Sequence, residues 1–138
     1  MSPCLIDSGF LYALIDERDL YSSQAKEIVE ALHEELVLPI PAITETGYFV
    51  SKYLGPEALA EFIQSIPNMG LILETPTAED YFRSAEILRK FNDANLDFVD
   101  ACIVAIAERL NITKILTIDR RHFGMFRPKH CAAFEILP

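Results

Sequence analysis

The chain has 138 residues, 51% of them hydrophobic, and a formal net charge of −9. That length suits one domain and can hide roughly 68–70% of the unfolded surface, so residues 1–138 are expected to fold as a single unit. The composition excludes a disordered chain, and the acidic balance argues against a general nucleic-acid coat.

In chain order, PCLID (3–7) reads as a buried strand, after which Ser8 can cap a helix over about 9–16. A second helix is expected over 22–35. The next strand lies near 36–40, and Pro41 suits the first turn of a helix running to about residue 53. Gly55-Pro56 punctuates before another helix, PEALAEFIQSI. GLILET (70–75) reads as a strand. TAEDYFRSAEILRKFND is amphipathic, with Thr77 and Asp80 spaced as a capping-box variant. LDFVDACIVAIAERL is a helix that ends near Asn111, TKILTID (113–119) a strand, and AAFEIL (132–137) a last strand. Strands alternating with helices imply an α/β fold with a central parallel sheet covered on both faces.

No apolar run approaches the ~20 residues of a membrane span. The start, MSPCLID, lacks the basic and apolar regions of a signal peptide, so a cytoplasmic protein is expected, with no membrane partner. Cys4, Cys102 and Cys131 are odd in number and widely spaced; they suit neither a disulfide framework nor a zinc pattern.

In a parallel sheet ligands bind beyond the carboxyl ends of the strands. Asp7 ends the first predicted strand and Asp119 the TKILTID strand. Glu45 lies in the helix after the second strand, and Asp97 and Asp100 lie in the first turn of a helix that feeds a strand. All five can project toward one edge of the sheet. Each alone suits a cap or a solvated turn; their coincidence needs a further cause. Two like charges ~4 Å apart repel by about 4 kcal/mol at an effective dielectric of ~20, so protons or a cation must offset the cluster. Oxygen ligands suit Mg²⁺ or Mn²⁺ rather than zinc. A basic stripe follows: Arg120, Arg121, His122, Arg127, Lys129 and His130 precede the next carboxylate, Glu135. A hard cation flanked by Arg120 and Arg121 is a device for phosphodiester hydrolysis. The two aspartates of LDFVDACIVAIAERL divide the work: Asp97 falls at an N-cap position with Asp100 completing a capping box. Asp100, at the foot of a buried helix, is the favoured ligand, and Asp97 caps, with a reach toward a water on the metal.

These blocks resemble the PIN-domain nucleases, and within them the VapC-type toxins of toxin–antitoxin pairs. The resemblance spans nearly the whole chain and rests on LIDSGFLYALID, AITETGYFV, LDFVDACIVAIAERL and ILTIDRRHFGMFRPKHCAAFEILP. It implies a three-layer α/β/α sandwich around a parallel sheet, cleaving RNA with Mg²⁺ or Mn²⁺. The family's four acids fall on Asp7, Glu45, Asp100 and Asp119, and Ser8 and Thr117 match its flanking hydroxyl residues. Gly9 departs from the Asn or Ser common there. By the same resemblance Asp7 and Asp100 hold the principal metal and Asp119 completes the site or holds a second ion. Glu45 orients or deprotonates the attacking water, and Arg120 and Arg121 grip the RNA backbone unless they form a solvated turn. Phe123 and Phe126 read as core rather than as stacking platforms. An antitoxin partner is implied, and a homodimer is expected. Ile28, Leu32, Tyr48, Phe49, Tyr53 and Phe62 exceed what one small core absorbs, which suggests a groove for a partner helix and a self-association face. Two alternatives stay open. One is a catalytically inactive PIN module that only binds. The other is a receiver-like phosphoacceptor domain, which needs a lysine at a strand end opposite the acids, whereas Lys114 starts its strand.

Overall fold

The computed structural model describes residues 3–92, 95–119, 123–124 and 127–138. Five parallel strands form one sheet: β1 (Cys4–Ile6), β2 (Leu36–Pro39), β3 (Ile72–Glu74), β4 (Lys114–Leu116) and β5 (Glu135–Leu137), in the order β3-β2-β1-β4-β5. Register is set by pairs such as Leu5 with Val37 on one side and Leu5 with Ile115 on the other. Among the described residues six α-helices connect them: α1 (Ser8–Ile15), α2 (Ser22–Ala31), α3 (Ile40–Leu54), α4 (Pro56–Ser65), α5 (Ala78–Lys90) and α6 (Phe98–Leu110).

The chain steps outward from β1 to β3, then returns past both to place β4 beside β1. Right-handed crossovers in opposite directions put the first and second sets of helices on opposite faces, giving three layers. The order reverses between β1 and β4, so the crevice beyond their carboxyl ends is the natural ligand position.

Central strand β1 is wholly buried, and α6 buries eight residues from Val99 to Ala107. That explains an apolar pattern that runs nearly all round the helix: it is packed by α5, α3 and β2 together. At its far end Asn111 adopts a left-handed conformation, φ 57°, which ends the helix and turns the chain toward β4. Gly55 joins α3 to α4 at φ 91°, a conformation that a side chain would disfavour.

Several sequence expectations shift. The strands are three or four residues long, shorter than their apolar runs, and Asp119 stands three positions beyond β4 rather than at its end. Helix α2 stops at Ala31. Phe62 is absorbed by the core, and Ile28 and Leu32 pack against it, whereas Tyr48 and Tyr53 remain exposed. Lys114 pairs with Glu34 at 2.9 Å at the amino end of the sheet, so it cannot serve the acids at the carboxyl end. Edge strand β3 leaves Ile72 and Leu73 open. No helix among the described residues is long and apolar enough to cross a membrane.

Candidate active site at the carboxyl edge of the sheet

Asp7, not Ser8, caps α1. Its backbone is extended, and Oδ1 accepts from the Phe10 N–H at 2.9 Å. The backbone N–H of Asp7 continues the β1–β4 pairing by donating to the Leu116 carbonyl at 3.1 Å. The Ser8 hydroxyl, not needed as a cap, donates instead to Oε1 of Glu45 on α3. Thr46 fixes that helix against α1, its hydroxyl shared between the carbonyls of Ala42 at 2.8 Å and Ser8 at 3.3 Å.

Fully buried Thr117 ties the two strand ends together. Its hydroxyl donates to Oδ2 of Asp7 and accepts from the Asp119 N–H at 3.0 Å. On α6, Asp97 and Asp100 form a reciprocal capping box: the Asp100 N–H meets Asp97 Oδ1 at 2.9 Å, and the Asp97 N–H meets Asp100 Oδ2 at 3.2 Å. A cavity of about 280 Å³ is lined by Asp7, Glu45, Asp97, Asp100 and Asp119, with Ser8 and Gly9 at its side. All four predicted acids and Asp97 thus meet at one place, between the carboxyl ends of β1 and β4. Arg120, Arg121, His122 and Phe126 lie outside the described residues; Phe123 is buried, as its core assignment requires.

Electrostatics follow from the crowding. Burial first, then the charges of Asp119 and Glu45, raise the Asp7 carboxyl to about 6 despite its hydrogen bonds from Thr117 and Phe10. Asp100 rises to about 7, through burial first and then the neighbouring Asp97 charge, with Asp7 adding a smaller push. Glu45 is also raised, by burial first and by Asp97 beside it, against the lowering hydrogen bond from Ser8. In all three, burial and neighbouring like charges disfavour the charged form.

The donor set, oxygen alone with no histidine or cysteine, suits a hard divalent cation. The carboxylates of Asp7, Glu45, Asp97 and Asp100 accept hydrogen bonds from donors of the chain, and among the described residues no group of three potential ligands is closed to coordinating spacing. Charge and chemistry therefore fit Mg²⁺ or Mn²⁺, while ligation requires the side chains to turn from their present partners.

Gly9 has a steric reason. A Cβ there would lie 3.2 Å from Ile118 Cγ1 and 3.8 Å from Asp7 Oδ1, so the residue lets the segment after β4 approach α1 closely beside the acid. Two lining residues were not expected at the acidic site: Phe49, read as part of a partner groove, and Ile118. Phe49 stands one helical turn beyond Glu45, a spacing that could have marked it; Ile118 had no comparable signal.

The fold is an all-parallel α/β/α sandwich with acids gathered at its switch point. The PIN domain family matches residues 4–125, and the chain belongs to that family. Over 134 residues it is 27% identical to the Ribonuclease VapC26 of Mycobacterium tuberculosis, covering 97% of this chain and 99% of that protein. Its fold is shared with the crystal structure of VapC20 from the same organism, described as a Sarcin-Ricin loop cleaving toxin. The TM-score is 0.80 and the identity 18%, over 86% of this chain and 92% of that one. A toxin-antitoxin complex from Klebsiella pneumoniae gives a TM-score of 0.68 at 19% identity, over 89% and 92% of the two chains.

Proposed function

We propose that this chain, as a single nuclease domain over 1–138, is a metal-dependent endoribonuclease and the cytoplasmic toxin of a toxin–antitoxin pair. The observation that carries the reading is the meeting of Asp7, Glu45, Asp100 and Asp119 at one cavity in a chain of the PIN family. The names of VapC26 and VapC20 support RNA as substrate, and the Klebsiella pneumoniae complex supports an antitoxin as partner.

Asp7, Asp100 and Asp119 would hold the Mg²⁺ or Mn²⁺. When bound, that ion lowers the pKa of water and neutralises charge on the phosphoryl oxygens. Thr117 keeps Asp7 and Asp119 in register by bonding both. Glu45, half-buried and held by Ser8, would orient the attacking water and accept its proton at a carboxylate oxygen. Asp97 fixes the first turn of α6 and so the direction of Asp100. Arg120 and Arg121, next in sequence to Asp119, would grip the RNA backbone. The same acidic cavity can receive an arginine from the antitoxin, whose guanidinium pairs with carboxylates in the cation's stead. Exposed Tyr48 and Tyr53 supply apolar surface for such a partner or for a second copy.

The test is cleavage of structured RNA by the purified chain. Mg²⁺ or Mn²⁺ should support cleavage, EDTA should abolish it, and Zn²⁺ should substitute poorly. Undiminished cleavage in excess chelator would overturn the metal mechanism.

A further inference from the structure

Gly9 is the second residue of α1 and lines the acidic cavity beside Asp7. A methyl group there would stand 3.2 Å from Cγ1 and 3.5 Å from Cδ1 of Ile118, the first closer than packed carbons sit. It would stand 3.8 Å from Oδ1 of Asp7, an ordinary contact. The conflict therefore falls on Ile118 and spares Asp7. Ile118 lies between Thr117 and Asp119 in the segment after β4. The start of α1 is fixed: the Asp7 N–H bonds the Leu116 carbonyl at 3.1 Å, the Thr46 hydroxyl bonds the Ser8 carbonyl at 3.3 Å, and Phe10 and Leu11 are buried. Thr117 is fixed as well, its N–H bonded to the Leu137 carbonyl at 2.8 Å and its hydroxyl to Asp7. Any give falls on Ile118 and Asp119, both only half-buried. It would draw the Asp119 N–H from Thr117 Oγ1, now 3.0 Å away.

We infer that Gly9 is a positioning residue for the carboxylates: by leaving out a side chain it lets Ile118 close on α1, and that contact sets the separation of Asp119 from Asp7. The inference rests on the metal-site reading and adds to it a residue that carries no ligand atom. Ligand separation governs affinity because a small ion such as Mg²⁺ demands near-ideal geometry. The effect is selective. Glycine is a poor helix former, so Gly9→Ala favours α1 itself while it widens the gap between the acids. Stability and metal affinity therefore move in opposite directions, whereas a role confined to packing would lower both.

The experiment measures Mn²⁺ binding to the purified full chain by electron paramagnetic resonance, with RNA cleavage and thermal melting in parallel. Gly9→Ala should weaken Mn²⁺ binding about 10- to 100-fold, the range for residues that orient metal ligands, while its metal-free melting temperature holds or rises. Two backgrounds trace the cause. Ile118→Ala removes the obstructing carbons, so adding Gly9→Ala to it should cost little affinity. Adding Gly9→Ala to Asp119→Asn should likewise cost little, because the ligand it displaces is already lost. Unchanged Mn²⁺ affinity of Gly9→Ala would overturn the inference, as would the same loss repeated in either double variant. Weaker binding together with a lower melting temperature would also overturn it and leave Gly9 a packing residue. If Ile118→Ala alone binds Mn²⁺ as weakly as Gly9→Ala does, the Asp119→Asn background decides. Wild type that binds no Mn²⁺ defeats the metal site and this inference with it. Wild type that binds Mn²⁺ but cuts no RNA defeats only the ribonuclease reading, and the Gly9 comparison stands.

Discussion

Asp97 and Asp100 share one capping box yet differ in surroundings. Asp97 is exposed and Asp100 is half-buried, pressed by Asp97 and Asp7. Asp100→Asn keeps the shape and can still accept from the Asp97 N–H. It should cut RNA cleavage by orders of magnitude while leaving the metal-free fold as stable or more stable, since it removes a repelled charge. Asp97→Ala removes the acceptor of the Asp100 N–H and should cost roughly 0.5–2 kcal/mol in urea unfolding, with a milder loss of turnover. Abolished cleavage by Asp97→Ala at an unchanged melting point would show instead that Asp97 acts directly in the chemistry. This division was legible in the sequence because a capping box is local: four consecutive positions define it. The role of Thr117 was legible only as a flanking hydroxyl. That it bonds Asp7, 110 positions away, depends on β1 and β4 being neighbours, which no spacing along the chain reveals.

Elements show the same contrast between local and distant causes. The boxes at Thr77 and Asp97 and the αL stop at Asn111 could be read from residue order. Strand lengths could not, because apolar runs continue past the last paired residue into the caps. Nor could the tie between the second pair of helices. Arg109 of α6 reaches back to Asp80 of α5, with Nε at 3.0 Å, and to Glu74 at the end of β3, with Nη2 at 2.7 Å. The side chain of Asp80 is only 3% exposed, and that of Arg109 30%. Breaking a buried ion pair costs about 3–5 kcal/mol, and the open guanidinium side reduces this. Arg109→Met should therefore destabilise by about 1–3 kcal/mol in urea unfolding. Adding Asp80→Asn should recover part of the loss by removing the stranded charge, although Asn still accepts from the Thr77 N–H. A loss below about 0.5 kcal/mol for Arg109→Met would mean that the Arg109 ion pairs add nothing to the packing of α5 on α6, which the Arg83–Glu108 pair also joins. A hollow between α3 and the α5–α6 pair, lined by Tyr48, Phe49, Tyr81 and Phe98 among others, was half legible. Helical periodicity marked Tyr48 and Phe49 as an apolar surplus, but it could not say that Tyr81 and Phe98 face them across a cavity.

At the scale of the molecule, an acidic site at the centre of the fold makes stability depend on pH in an unusual direction. Ordinary paired acids hold the fold at neutral pH and lose that contribution in acid, as Asp16 and Glu34 should: the Tyr12 hydroxyl and the Lys114 ammonium, respectively, lower their carboxyls. Asp7 and Asp100 do the opposite. Their folded values, about 6 and about 7, lie above the ordinary 3.8. Between these limits the folded chain binds more protons than the unfolded one, so its stability falls as pH rises through the window. Metal-free protein should therefore melt at its highest temperature in mild acid, near pH 5, and progressively lower toward pH 7. The paired acids set the decline on the other side. Mg²⁺ competes with the same protons, so its stabilisation should be small near pH 5 and grow toward pH 7. Asp7→Asn should flatten the metal-free decline and weaken the Mg²⁺ effect together, since one carboxylate carries both. Differential scanning fluorimetry across pH 4–8, in EDTA and in Mg²⁺, reads all of these. A metal-free melting temperature that rises steadily from pH 5 to 7 would mean that the acids are solvated and independent. The crowding on which the proposed metal site rests would then be absent.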